Sequence, residues 1–517
     1  MAIVDNKRIA KNTIILYLRM IFLMVVSLYT SRIILNALGV DSYGVYSAVG
    51  GFIATFAILS NSLSAAVSRF ITFELGKGNK NNLCQIFSSS VIMLLTIGLI
   101  ILLLMETAGI WFLNNKMTIP ADSVKAANWV LQFSALTFII NLISVPYNAA
   151  IIAHEKMSAF AFISMFEGLG KLLIAFIIAN SSLNRLILYS GLLFLLSIIV
   201  RCIYAWYCNR NFEYTHLRFC CDRSIAKQIF AFSGWNFIGA SSGVLRDQGV
   251  NVLLNVFCGQ TVNAARSIAM QVNSAIQSLS TSFTTALNPQ ITKQYALSNY
   301  IECEHLVTRG ARFTIYLLLL LAFPIFFETH QILVVWLKIV PPYAVSFVQL
   351  IIISVIVETI SYSMTTLMLA TGNIRNYQIL VGGLQLLNFP ISWLLLKEDI
   401  SPNYTIVTAI VIGILSLMCR LVMLHRMIGF HVLTFIKDVI IRVLLVSILS
   451  SIVPLILIEC LPESFLRLIV IIVTCLFSVS ISVLYFGCNT SERTVIFCVV
   501  RNNIRKLYRN ANSKRKI

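Results

Sequence analysis

Apolar residues run along this chain in long blocks broken by short polar connections. A bilayer core requires about 20 apolar residues in helix. Fourteen blocks are candidates: residues 13–38, 44–66, 85–113, 126–152, 158–180, 186–208, 228–256, 263–287, 309–329, 344–370, 377–396, 403–425, 437–459 and 464–486. Spans 9, 13 and 14 approach the uniform Leu/Ile/Val of a helix in lipid. Span 8 does not. Asn273, Gln277, Ser280, Thr284 and Asn288 recur on one helical stripe, and Gln271, Ser274, Ser278, Thr281 and Thr285 form a second beside it. Span 7 carries Asn236, Ser241, Ser242, Gln248, Asn251 and Asn255, and span 2 carries Ser60, Asn61, Ser62 and Ser64. So many amides and hydroxyls in hydrocarbon need water or a polar ligand. Helix-to-helix hydrogen bonding uses the same residue types, but two adjacent stripes exceed one packing seam, so span 8 is read as lumen-facing.

The blocks repeat weakly at an offset of about 216–220. Ile9-Ala10-Lys11 matches Ile225-Ala226-Lys227, and Leu35-Asn36 matches Leu254-Asn255. Ser60-Asn61-Ser62 matches Ser280-Thr281-Ser282, and Ile71-Thr72 matches Ile291-Thr292. The offset contains six spans, so both copies have one topology, a parallel repeat about an axis along the membrane normal. The expected architecture is all-α and polytopic: a first lobe over 1–211 (spans 1–6), a second over 212–436 (spans 7–12), two added helices over 437–486, and a basic tail over 487–517.

Composition fits this picture and excludes others. Hydrophobic residues are 58% and charged residues 11%, against roughly 45–50% and 25% in soluble domains. A soluble enzyme, a disulfide scaffold and a disordered chain are ruled out. The net charge is +19. It is spread between spans, so it reads as an orientation signal and not as a nucleic-acid surface. Connections on the side of the N-terminus hold 25 Lys and Arg, those on the other side a handful, which places both termini in the cytoplasm. The tail from Arg493 to Lys516 is expected to lie against anionic headgroups. Lys7, Arg8 and Lys11 before an apolar run have the charge order of a secretion signal. The run continues to Leu38 with no small-x-small site, so it is read as a retained span.

The twelve cysteines include no C-x-x-C; apart from the adjacent Cys220-Cys221 they read as small buried hydrophobes. The histidines show no ligand spacing, and no G-x-x-x-x-G-K-[ST] loop is present. No metal or cofactor is expected.

Ionisable residues within spans are functional candidates. Arg19 and Arg32 lie in span 1, Arg246 and Asp247 in span 7, Arg266 at the start of span 8 and Glu358 in span 10. Arg246 and Asp247 are about 100° apart on the helix and are not expected to pair. Glu167 and Lys171 are spaced for a local salt bridge, and Arg201 is expected to snorkel inward. Arginines outnumber acids in this set, which favours an anionic substrate, and Arg matches phosphate geometry.

Three stretches carry a family resemblance: RIILNALGVDSYGVYSAVGG at the junction of spans 1 and 2, AHEKMSAF before span 5, and NAARSIAMQVNSAIQSLSTSFTTALNPQITKQYA through span 8. In these the chain resembles the Wzx-like polysaccharide (O-antigen) flippases of the multidrug/oligosaccharidyl-lipid/polysaccharide (MOP) exporter superfamily. The resemblance implies two six-helix lobes in a V-shaped, alternating-access fold in the bacterial inner membrane. It implies transfer of undecaprenyl-diphosphate-linked repeat units from the cytoplasmic to the periplasmic leaflet, as in lipopolysaccharide assembly. It also implies contact with membrane lipids and association with polymerase and glycosyltransferase machinery. On this reading Arg32, Arg246, Arg266 and Arg19 meet the diphosphate. Asn61, Asn251, Asn255, Asn273, Gln277 and Thr281 face the glycan, and Asp247 and Glu358 are the candidates for coupling to Na+ or H+. Spans 13 and 14 help hold the lipid tail. The alternative is a cation-coupled multidrug exporter of the same superfamily. Its relatives typically carry an acid in the first helix, and span 1 has Arg19 and Arg32 instead. A polymerase or glycosyltransferase would need a long external loop, and a scaffold would leave the polar stripes without purpose.

Overall fold

The computed structural model describes residues 6–54, 56–115, 124–181, 183–216, 222–338, 340–490 and 492–494. Cys220-Cys221 and the tail from residue 495 onward lie outside them. The described chain is all-α. We number its main helices α1 (Asn6–Ala54), α2 (Ala57–Lys77), α3 (Lys80–Asn115), α4 (Val124–Ala153), α5 (Met157–Ala179), α6 (Arg185–Asn211), α7 (Arg223–Ala296) and α8 (Tyr300–Phe327). These are followed by α9 (Ala344–Thr371), α10 (Arg375–Lys397), α11 (Tyr404–Ile428), α12 (Val432–Cys460) and α13 (Phe465–Gly487).

Eleven of the described helical segments are long and apolar enough to cross a membrane. The three other expected spans fall on the helices with polar stripes, α7 and the region from the end of α1 through α2, so fourteen is not the number that length and apolarity alone support. Those stripes also carry the helices past their apolar stretches. Span 2 was expected to end at 66 and span 8 at 287, but α2 reaches Lys77 and α7 reaches Ala296.

The repeat shows most sharply in the backbone. Helices α1 and α7 each break at one glycine, Gly39 (φ 76, ψ 166) and Gly259 (φ 82, ψ −180). This is a backbone region open essentially to glycine alone. The same turn closes α2 and α7. Gly78 N–H donates to Leu75 O and Asn79 N–H to Glu74 O (3.2 and 3.3 Å), while Ser298 N–H donates to Tyr295 O and Asn299 N–H to Gln294 O (3.0 Å each). These are paired N–H bonds back to orphan carbonyls. Asn79 then caps α3 and Asn299 caps α8 through their side chains. Gly39→Ala or Gly259→Ala meets no neighbour within 4 Å. Each is nevertheless expected to cost about 1–3 kcal/mol through the backbone conformation alone, seen as earlier thermal unfolding of the purified protein.

Helices α12 and α13 lie against α8, and α13 is pinned to it at both ends. Arg467 of α13 pairs with Glu328 just beyond α8 (2.9 Å), both nearly buried. At the other end Tyr316 Oη donates to Gly487 O (3.1 Å) and Arg312 pairs with Glu492 (2.5 Å). This corrects the reading of span 9 as a lipid-facing helix. Leu319 is fully buried in a cluster that includes Val446, Ile471 and Cys475 of the added pair, while Leu318 and Ala322 are buried against α7 and α9. The pair takes over the lipid contact, with Leu444, Ile448, Leu466, Phe477 and Ile481 exposed.

Candidate functional site

In the second half, α7, α9, α10 and α11 enclose a charged chamber. Arg246 stands at its centre. Its Nε lies 2.9 Å from Asp247 Oδ1, and its Nη1 donates to Glu358 Oε1 at 2.8 Å. The expectation that Arg246 and Asp247 do not pair is corrected. The 100° between them separates their Cβ atoms, but the long arginine stem bends its guanidinium back onto the adjacent carboxylate. Glu358, which has no partner within its own helix turn, is satisfied from across the chamber.

Two cavities flank this triad. One, about 190 Å³, is lined by Arg266, Asn273, Gln277 and Asn388 as well as the triad. Arg266 is buried, and its Nε donates to Asn251 Oδ1 at 2.7 Å. The other, about 250 Å³, lies between Arg246 and Arg420, with Tyr362, Tyr377 and Gln385 in its wall. The structure thus brings together Arg246, Arg266, Asp247, Glu358, Asn251, Asn273 and Gln277.

The remaining expected residues lie elsewhere. Arg19 sits in the first half with its guanidinium 4.5 Å over the Phe160 ring. Arg32 and Asn255 are exposed, and Thr281 is exposed with its hydroxyl turned back to Ser278 O. Lys171 and Glu167 form the expected local bridge at 2.7 Å. Arg201 does not snorkel freely; it stacks 3.8 Å over the Tyr147 ring, where the aromatic face stabilises its charge.

The halves meet at the end of the bundle that carries the N-terminus. Glu155 follows α4 with a left-handed φ of 58 and is buried. Its carboxylate accepts from Lys293 Nζ at 2.6 Å and Gln290 Nε2 at 2.7 Å, both on α7, and lies 3.4 Å from Arg8 Nε. Its carbonyl accepts from Asn12 at 3.3 Å. His154 stacks on Phe212 and shares a hydrogen bond with Tyr214 Oη. Burial first, then Lys293, Lys156 and Arg8, push its pKa down to about 4, so it stays neutral beside these cations. A reciprocal contact runs the other way. Arg69 of α2 donates to Ala370 O at 3.0 Å near the end of α9, with its guanidinium over Phe70 and Phe73. Each half's second helix therefore grips the turn between the other half's fourth and fifth helices.

Above this closure lies a cavity of about 320 Å³ between the halves, lined by Asn61, Ser68, Arg69, Thr285, Asn288 and Thr366. Toward the other end, Met24, Val25, Leu28 and Tyr29 on α1 and Val252, Val256 and Phe257 on α7 are exposed.

Sequence reasoning missed Arg420, Glu155 and Arg69. A buried arginine inside the apolar span 12 was itself a usable signal. Glu155 lies within AHEKMSAF between spans 4 and 5, and Arg69 lies beyond the apolar end of span 2, so neither stands out as an intramembrane charge.

A polytopic bundle with a charged chamber inside one half and a polar cavity between halves is the build of a membrane transporter. Residues 9–294 match the family described as polysaccharide biosynthesis protein, more than half of the chain, and the chain belongs to that family. Its fold is similar to that of solved transporters of the MOP superfamily. A MATE transporter in complex with MaL6 aligns with a TM-score of 0.72 at 12% identity, covering 82% of this chain and 96% of that one. A MOP superfamily transporter from Pyrococcus furiosus, whose binding pocket of reverse polarity suggests a different function for it, aligns with a TM-score of 0.71 at 12% identity and the same coverages. An outward-facing multidrug resistance MATE family transporter aligns equally well, with a TM-score of 0.71 at 12% identity and coverages of 82% and 96%. No curated protein sequence matches the chain.

Proposed function

We propose that this transporter is a flippase that carries undecaprenyl-diphosphate-linked oligosaccharide repeat units across the bacterial inner membrane by alternating access. Its halves are residues 1–211 and 212–436, with both termini cytoplasmic. The observation that carries the reading is the cation excess of the second-half chamber: Arg246, Arg266 and Arg420 face two acids, Asp247 and Glu358. A low-dielectric cavity of that sign attracts anions.

In the cycle we propose, the headgroup enters when the Glu155 closure is open. The diphosphate replaces the carboxylates on Arg246, with Arg266 beside it, and Asn251, Asn273, Gln277 and Asn61 hydrogen-bond the glycan. Arg19, Arg32, Asn255 and Thr281 line its path. Asp247 and Glu358, released from Arg246, take up a proton or Na+ and give it back when they regain the guanidinium. The prenyl chain stays in lipid, guided by α12 and α13. The arrangement described above, closed at the N-terminal end, is the outward-facing state of this cycle.

A strain lacking the protein is expected to lose surface glycan and accumulate lipid-linked repeat units on the inner leaflet, with both restored by the wild-type chain. A multidrug exporter predicts instead unchanged glycan and heightened sensitivity to organic cations. Arg246 opposes that second reading, because a tethered cation already occupies both acids.

A further inference from the structure

Among the described residues four arginines are buried: Arg266, Arg312, Arg420 and Arg467. Arg312 faces Glu492 and Arg467 faces Glu328. Arg266 and Arg420 have neutral partners, on opposite sides of the Arg246 triad. The proposed function already assigns Arg266 to the diphosphate. Arg420, on α11, has no role in it.

The surroundings of Arg420 are specific. Its Nη1 donates to Ser361 Oγ at 3.2 Å and its Nε to Tyr377 Oη at 3.4 Å, both long contacts, with the guanidinium 5.8 Å from the Tyr377 ring centre. It borders two adjoining cavities of about 250 and 170 Å³ that share Thr365, Tyr377 and Gln385. The smaller adds Asn236 and Gln378. One turn before Arg420, Ser416 lines the larger cavity; it is 2% exposed, and its Oγ has no hydrogen-bond partner among the described residues. The one acid in these walls, Glu358, is held by Arg246. A buried guanidinium without a counter-ion calls for an anion. The hydroxyls and amides around it suit a ligand rich in hydroxyl groups, and the tyrosine ring offers a flat apolar face to a sugar.

We propose that Arg420 holds the carboxylate of an acidic sugar within the transported glycan, in a subsite separate from the diphosphate site. Gln385, Gln378 and Thr365 bind the hydroxyls of that sugar. The proposal rests on the flippase reading and deepens it: the protein selects repeat units with two anionic points, one in the carrier and one in the glycan. The shared chemistry is an oxyanion on a guanidinium, and the carrier's own phosphate is the competing source.

The test is calorimetric binding to the full-length protein in nanodiscs, with glucuronate, glucose and inorganic pyrophosphate as probes. We expect glucuronate to bind the wild-type chain at least about tenfold more tightly than glucose, the difference made by one charge-assisted contact. Arg420→Gln is expected to remove that difference, and Arg420→Lys to keep part of it. Gln385→Leu, which leaves the charge in place, is expected to weaken glucuronate several-fold and guards against an Arg420→Gln chain that does not fold. Equal binding of glucuronate and glucose by the wild type overturns the proposal, as does undiminished glucuronate binding by a folded Arg420→Gln. Pyrophosphate binding that requires Arg420 and displaces glucuronate overturns it in favour of the carrier phosphate. In each case accumulation of lipid-linked units in the deletion strain leaves the flippase reading standing. Absence of accumulation removes that reading whatever the probes do.

Discussion

Replacing Glu155 with alanine is expected to open the N-terminal end of the bundle. In the wild-type chain the Glu155 side chain is 2% exposed and the Lys293 side chain 18% exposed, with Oε1 and Nζ 2.6 Å apart. Removing one partner of such a pair costs about 3–5 kcal/mol, because the other charge is left buried and unmatched. The cost falls on the closed arrangement alone, since Lys293 is free to reach water once the halves part. The equilibrium therefore moves toward the open form by about two to four powers of ten. Spin labels at Lys80→Cys and Ile301→Cys, on the exposed first turns of α3 and α8, read the change as a longer distance in Glu155→Ala. Glu155→Gln keeps a partner for Gln290 and is expected to fall between the two. Glu155→Ala/Lys293→Ala is expected to cost less than the two single changes added, the mark of a direct interaction. An unchanged distance in a folded Glu155→Ala chain means that the carboxylate is packing and not a gate.

Arg246→Ala is the second large effect. It leaves Asp247 and Glu358 facing one another without the guanidinium that joins them at 2.9 and 2.8 Å. Two carboxylates left in one cavity without their shared cation repel each other, and the expected loss of stability is again about 3–5 kcal/mol. Stability alone does not separate a structural from a transporting role. Asp247→Asn and Glu358→Gln added to Arg246→Ala remove the repulsion and are expected to recover most of the thermal stability. Export is not expected to recover with it, since the cation proposed to meet the diphosphate is still missing. A triple variant that restores surface glycan refutes the role of Arg246 in substrate binding.

Much of the architecture is legible from hydropathy and spacing, because a bilayer leaves helix as the main solution for an apolar block. The polar stripe of span 8 led to Asn273 and Gln277, and the lone intramembrane charges led to Arg246, Asp247 and Glu358, which share one chamber. Hydropathy and spacing do not carry side-chain reach or contacts across the bundle. Arg246 and Asp247 were separated on a helical wheel that ignores how far a guanidinium reaches. Glu155 lies in a short turn whose meaning comes from Lys293, 138 positions later. The ends of α2 and α7 were placed where apolarity stops, although amphipathic helix continues for another two turns or more and forms the closure itself. The Gly39 and Gly259 breaks were within reach, since both follow the Leu-Asn pair that revealed the repeat.

The pinning of α13 to α8 has a mechanical consequence. Held by ion pairs at both rims, the added helices would travel with the second half in the proposed cycle, so that half would displace more lipid than its twin. Viscous drag would then fall unequally on the two bodies, and the stroke would be lopsided although the fold beneath it is pseudo-symmetric.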